Sequence, residues 1–303
     1  MHFNTNIPIE NILKALFEPY RKNVEDVDFI NAEMVKAGMI AKPEDIENDH
    51  IAFRTLGVPN LGLKSIEKIF LHHGYQKRDH FYFEAKKLDA YWYAPPKELY
   101  PRIFISELRV NDLSQQAQNI ITKYTKTITK DPADSLDLNN TEQVGNFFYQ
   151  PLWEIPTIED YDLLAAESEY ASWVIYNRYY LNHYTISVHN LPSPYNKLEE
   201  FNRFLENIGI VLNTSGGKIK TSKDGLLKQS SSVAKMITAN FANGKTKKIS
   251  GSYVEFAERL PLKAYEKENT QGLDREKRRD GFEAGNADRI FESTYDEQTK
   301  RSS

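Results

Sequence analysis

In "NDHIAFRTLG", residues 48–57, apolar and polar side chains alternate. Successive strand residues point to opposite sides, so the pattern predicts a strand with Ile51 and Phe53 on one face and His50, Ala52 and Arg54 on the other. Upstream, residues 8–38 carry apolar positions three and four apart, which predicts helix, with a break at Pro19 and a stop at Gly38. Downstream of the strand over His50–Thr55, "LGLKSIEKIFLHHGY" (61–75) reads as an amphipathic helix ended by Gly74. "HFYFEAKKLDAYWYAPP" (80–96) predicts two short strands around a polar turn at Lys86–Asp89, and "PRIFISELRV" (101–110) predicts another strand.

Residues 111–178 are less regular and mostly helical, with "LSQQAQNIITKYTKTI" and the start of "TIEDYDLLAAESEYASWVIYNRYY". Then the first order returns. "YLNHYTISVHNL" (180–191) alternates as a strand, "NKLEEFNRFLENIGI" (196–210) is an amphipathic helix, residues 216–241 read as polar strands and turns, and "GSYVEFAERLP" (251–261) is a final strand. Strand, helix, strands therefore occur twice, which indicates a duplicated βαβββ unit. The expected fold class is α+β, with two βαβββ-type modules forming a curved mixed sheet around a metal cleft. The expected organisation is a single catalytic domain over 1–303. Within it lie N-terminal helices (1–45), a first module (46–110), a helical insertion (111–178), a second module (179–262) and a C-terminal lid or tail (263–303). By composition the last segment is a solvated tail. Phe282, Ile290 and Phe291 within "GFEAGNADRIFEST" suggest instead a short helix that docks.

Composition narrows the chemistry. A net charge of -4 argues against a polyanion-binding surface, and so against nucleic acid. No apolar run approaches the roughly 20 residues of a membrane span. "MHFNTNIPIENILKALF" has neither a basic leader nor a small-residue cleavage site, so the expected location is cytoplasmic. The chain has no cysteine, which leaves histidine, carboxylates and backbone oxygens as metal ligands.

The histidines number seven. His2 is terminal, His72 and His73 end a helix, and His80 begins a strand after a turn. His50 and His183 each open the first strand of one copy. In the second copy His183, Thr185, Ser187 and His189 share a face, opposite Tyr184, Ile186 and Val188. In "SYVEFAER", Glu255 sits between Val254 and Phe256, where a bare carboxylate is costly unless it is paired, for example with Arg259, or coordinates a metal. The corresponding residue of the first copy is Glu107. If the copies close around one cleft, His50, His183 and one or both glutamates converge. Two imidazoles and a carboxylate on one face of a metal leave adjacent positions open, an arrangement suited to non-haem Fe(II) and O₂. From spacing alone, buried structural histidines and a metal triad both remain open. Gln229 and Ser231, in "LLKQSSSVA", read equally as a polar turn.

The segments "DHIAFRTLG", "NHYTISVHNL", "LLKQSSS", "GSYVEFAERLP" and "GFEAGNADRIFEST", in that order over about residues 45–295, resemble the 2-oxoadipate dioxygenase/decarboxylase family, also called hydroxyglutarate synthase. That family's fold is related to the vicinal oxygen chelate superfamily. The resemblance implies Fe(II) bound by His50, His183 and Glu255; the same ligand set also accepts Zn, Ni or Mn. It implies that Arg54, roughly 13 Å along the strand from His50, meets a carboxylate of the substrate with its planar fork. Gln229 and Ser231 become substrate-orienting donors, and the last segment becomes a lid. The implied reaction converts a 2-oxo acid and O₂ into a hydroxy acid and CO₂; for 2-oxoadipate the product is 2-hydroxyglutarate, as in lysine catabolism. Connections between the two copies are shorter here than in longer family members. Two alternatives stand beside this reading. One is a glyoxalase-type isomerase or lyase using Zn²⁺ or Ni²⁺ with Glu107 as a fourth ligand. The other is a non-enzymatic binding module that holds its ligand through Arg54.

Overall fold

The computed structural model describes residues 6–268 and 272–301. Helices α1 (Pro8–Asn23) and α2 (Glu25–Lys36) come first. The expected break at Pro19 does not occur: Pro19 lies inside α1, and the chain turns at Val24. Proline forfeits one helical hydrogen bond, but Leu16 and Tyr20 on either side are fully buried, and that packing carries the helix through.

The first copy is β1 (Asn48–Leu56), α3 (Leu63–His72), β2 (Gln76–Phe83), β3 (Leu88–Ala94) and β4 (Arg102–Leu108). Four helices follow: α4 (Gln115–Thr125), α5 (Thr141–Tyr149), α6 (Ile158–Glu167) and α7 (Glu169–Asn177). The second copy is β5 (His183–Ser187), α8 (Leu198–Asn207), β6 (Lys220–Thr221), β7 (Leu227–Ser231), a separate hairpin of β8 (Met236–Asn240) and β9 (Thr246–Ser250), and β10 (Tyr253–Arg259). The strand expected over 180–191 is shorter than its alternation suggested. It ends at Ser187, and Val188–Asn190 form a 3₁₀ turn that takes His189 off the strand face. The C-terminal segment forms α9 (Ala284–Ile290), a 3₁₀ turn at Phe291–Thr294 and α10 (Asp296–Thr299).

The eight-stranded sheet runs β2-β3-β4-β1-β5-β10-β7-β6, so the second half mirrors the first. Each copy pairs its first and last strands in parallel, β1 with β4 and β5 with β10, and the copies join through antiparallel β1 and β5. Register then decides which residues share a face. Arg102 lies opposite His50, Ser106 opposite Arg54, His183 opposite both Ala52 and Tyr253, and Ser231 opposite Glu255. One face thus carries His50, Arg54, Arg102, His183, Gln229, Ser231, Glu255 and Arg259. The other face is apolar and packs on helices: Phe53 against Phe70 of α3 and Phe148 of α5, Tyr184 against Phe17 and Tyr20 of α1, and Phe256 against Phe201 of α8. The polar face is buried too, because Phe282, Ile290 and Phe291 of the C-terminal segment lie over it.

Candidate metal centre

Three strands deliver one side chain each: β1 gives His50, β5 gives His183 and β10 gives Glu255. Their ligand atoms lie within 4.8 Å of one another, and all three residues are buried. Glu255 spans the two imidazoles, with Oε1 3.4 Å from His50 Nε2 and Oε2 3.0 Å from His183 Nε2. The rings stand edge to face, 5.5 Å apart. His183 Nε2 is buried and makes no aligned hydrogen bond among the described residues. A buried ring nitrogen facing a buried carboxylate and a second imidazole is a donor set that could hold a divalent metal ion. Electrostatics agrees with a carboxylate kept as a ligand. Burial alone would raise Glu255, but His50 and His183 hold it well below the usual carboxylate range. Burial lowers His183. At His50 burial is outweighed by Glu255 and Asp49, which raise it.

Neighbouring groups orient each ligand. Asp49 Oδ1 lies 2.8 Å from His50 Nδ1, and Asn182 Oδ1 lies 3.1 Å from His183 Nδ1. Thr185 Oγ1 approaches His50 Nε2 at 3.0 Å. Gln229 Nε2 donates to Glu255 Oε1 at 2.6 Å, and Asn286 Nδ2 donates to Gln229 Oε1 at 3.0 Å. Asp49 and Asn182 were missed from sequence. A signal was there, since an Asp or Asn directly precedes the histidine that opens each copy, in "NDH" and "LNH".

Arg54 is on the same face, 1% exposed, over Tyr170 and Trp173 at 5.2 Å from each ring centre. Its fork donates to Phe291 O and Thr294 Oγ1, both at 2.9 Å, and its Nε finds no hydrogen-bond partner among the described residues. Among the described residues no carboxylate lies within salt-bridge distance of it. Ser231 Oγ is 2.7 Å from Ser293 Oγ, so it too meets the C-terminal segment. The cavity at the centre measures about 20 Å³ and is walled by Phe104, Tyr253, Phe282, Ile290 and Phe291 around the three ligands. That volume admits about one water.

Glu107 does not join the site. It lies opposite Thr55, on the face away from His50. Its Oε2 accepts from Leu63 N at 2.7 Å, at the start of α3. Gly62 (φ +85°) leaves room for that carboxylate; a Cβ there would sit 2.2 Å from Oε2. His72 and His73 contact residues 138–139, and His80 pairs with Asp89 at 2.7 Å on an exposed strand. His2 lies outside the described residues.

Known proteins resemble this chain in sequence and in fold. Over 264 residues the chain is 46% identical to the chloroplastic 2-oxoadipate dioxygenase/decarboxylase of Arabidopsis thaliana, covering 84% of this chain and 69% of that protein. It is 45% identical over 265 residues to the chloroplastic/amyloplastic protein of the same name from Oryza sativa subsp. japonica, covering 84% and 71%. The crystal structure of the hydroxyglutarate synthase from Oryza sativa, in complex with 2-oxoadipate, superposes with a TM-score of 0.86 at 40% identity, covering 96% of this chain and 93% of that one. A glyoxalase superfamily protein from Ralstonia eutropha JMP134 matches with a TM-score of 0.70 at 18% identity over 94% and 90%, a likeness of fold alone. The expectation of a cytoplasmic protein is overturned, because both curated relatives are plastid proteins. No helix among the described residues is long and apolar enough to cross a membrane. The family model HGLS, 2-oxoadipate dioxygenase/decarboxylase, matches residues 12–272, and with these relatives it establishes that the chain belongs to that family.

Proposed function

We propose that this chain is an Fe(II)-dependent dioxygenase that converts 2-oxoadipate and O₂ into 2-hydroxyglutarate and CO₂, a reaction placed in lysine catabolism. The observation that carries the reading is the convergence of His50, His183 and Glu255 on one buried point, with a carboxylate-free arginine on the same sheet face. The relatives' names and the bound 2-oxoadipate of the rice structure support the substrate class. His50, His183 and Glu255 would hold the metal, which when bound would supply adjacent coordination positions for a chelating 2-oxo acid and for O₂.

The chain's own residues supply the rest. Glu255 is held in its ionised form in a buried place, where it faces the two imidazoles and accepts from the Gln229 amide. Gln229 acts on the ligand more directly than on the substrate, because its amide is engaged by Glu255 and Asn286. Arg54 offers a planar fork to the substrate's distal carboxylate. Phe104, Phe282, Ile290 and Phe291 keep water out, which strengthens every charge interaction inside.

An oxygen-electrode trace with a panel of 2-oxo acids tests the proposal. The expected result is O₂ uptake with 2-oxoadipate, with one CO₂ released per O₂ consumed. Turnover of a 2-oxo acid or thiohemiacetal under anaerobic conditions would sink it in favour of an isomerase or lyase.

A further inference from the structure

Asp49 stands between a metal-ligand histidine and two arginines. Its Oδ1 faces His50 Nδ1 at 2.8 Å. The Arg259 fork grips the same carboxylate, Nε to Oδ2 at 2.6 Å and Nη2 to Oδ1 at 2.9 Å, and Arg102 Nη1 reaches Oδ2 at 3.4 Å. All four side chains are at most 2% exposed. A carboxylate so gripped has no freedom to swing, and it accepts hydrogen bonds without donating any. Opposite it, the imidazole carries a proton on Nδ1, and with a metal bound its Nε2 lone pair would be directed at the metal position.

The arginines have a second attachment. Arg259 Nη1 donates to the carbonyls of Arg279 at 3.0 Å and Gly281 at 2.8 Å, and Arg102 Nε donates to Asp280 at 2.6 Å. The next residue, Phe282, stands edge-on to His50, with ring centres 4.8 Å apart. The chain that walls the cavity is therefore fastened to the same guanidinium that holds the acceptor of His50.

We propose that Asp49, gripped by Arg259, is a positioning residue that sets the tautomer and ring angle of His50, and that Arg259 ties this setting to the docking of residues 279–282. The inference rests on the reading of His50 as a metal ligand. It adds that the ligand's affinity for metal is set from behind, by a buried ion pair that also anchors the cavity wall.

Two measurements test it. In the Zn(II)-loaded wild-type protein, ¹⁵N-resolved NMR of the imidazoles should find His50 protonated on Nδ1 and ligating through Nε2; the opposite arrangement overturns the inference with no variant needed. Co(II) titrations of wild type, Arg259→Lys and the doubly substituted Asp49→Leu/Arg259→Met then separate positioning from mere structure. The double variant leaves no orphan charge in the interior. It should bind Co(II) some 10- to 100-fold more weakly than wild type, with Arg259→Lys in between. A purely structural role would lower the melting temperature and leave Co(II) affinity at the wild-type value, and that result overturns the inference. Failure of the wild type itself to bind Co(II) or Zn(II) would instead remove the metal reading beneath it.

Discussion

Gln229 Nε2 donates to Glu255 Oε1 at 2.6 Å across the antiparallel pair of β7 and β10. Asn286 fixes which way the Gln229 amide points, because Gln229 Oε1 accepts from Asn286 Nδ2. Gln229→Leu removes the donor and leaves the Glu255 oxygen without its shortest hydrogen bond. Metal affinity should fall by about tenfold, the usual effect of losing a partner that orients a ligand, as read by calorimetric titration. An unchanged affinity would remove Gln229 from the metal site.

A metal held by His50, His183 and Glu255 of the folded chain alone should stabilise it by mass action. At a free metal concentration 100 times Kd, the gain is about 2.7 kcal/mol. Scanning calorimetry with and without a chelator should show a melting temperature that falls when metal is stripped. Glu255→Ala should abolish the difference between the two scans while the chain still folds.

Arg54 is a buried side chain with no carboxylate partner among the described residues. Substituting Arg54→Met should lower kcat/KM for 2-oxoadipate by about 10²-fold or more, in line with the 2–5 kcal/mol lost when one member of a buried charge pair is removed. 2-Oxohexanoate has no distal carboxylate, so its turnover should scarcely respond to the substitution. Equal losses on both acids would mean that Arg54 only anchors Phe291 and Thr294.

Glu107 offers a separate check on the metal set. Its carboxylate accepts from the Leu63 amide, so Glu107→Ala should cost about 1 kcal/mol of stability through an unpaired amide at the start of α3. Co(II) affinity should not change. A weakened Co(II) titration would restore Glu107 as a ligand.

Lys220 gives a pH dependence. Its ammonium is buried and donates to Asn213 O at 2.8 Å. Burial lowers it from 10.5 to about 8. Below pH 8 both states carry the proton, and the penalty of burying the charge is fully present. Between pH 8 and 10.5 the unfolded chain binds more protons than the folded one, so stability rises with pH, by at most about 1.4 kcal/mol per pH unit. Urea midpoints from pH 8 to 10 should climb in the wild type relative to Lys220→Met. Parallel profiles would show that Lys220 does not titrate in this range.

The sequence by itself determined what is local. Alternation put His50 beside Arg54 and His183 beside Thr185, and it left Glu255 between Val254 and Phe256. These are single-strand properties, set by side chains that alternate every residue. The repeated order of strand, helix and strands predicted the mirrored halves of the sheet. The apolar residues of "GFEAGNADRIFEST" marked a segment with surface to bury.

Only the tertiary structure decided which of these faces meet. Glu107 and Glu255 looked equivalent as carboxylates on the last strand of each copy. Glu255, however, lies opposite Thr185, on the face of His183, whereas Glu107 lies opposite Thr55, behind His50. One residue of register turns a side chain to the other face, and register is set between strands far apart in sequence. Likewise Arg54 meets Phe291 and Thr294, which lie 237 and 240 residues further along the chain. Pro19 continues a helix it should interrupt because buried neighbours hold both sides. No local period encodes such long-range packing, and it is what converts two separate histidine strands into one buried centre.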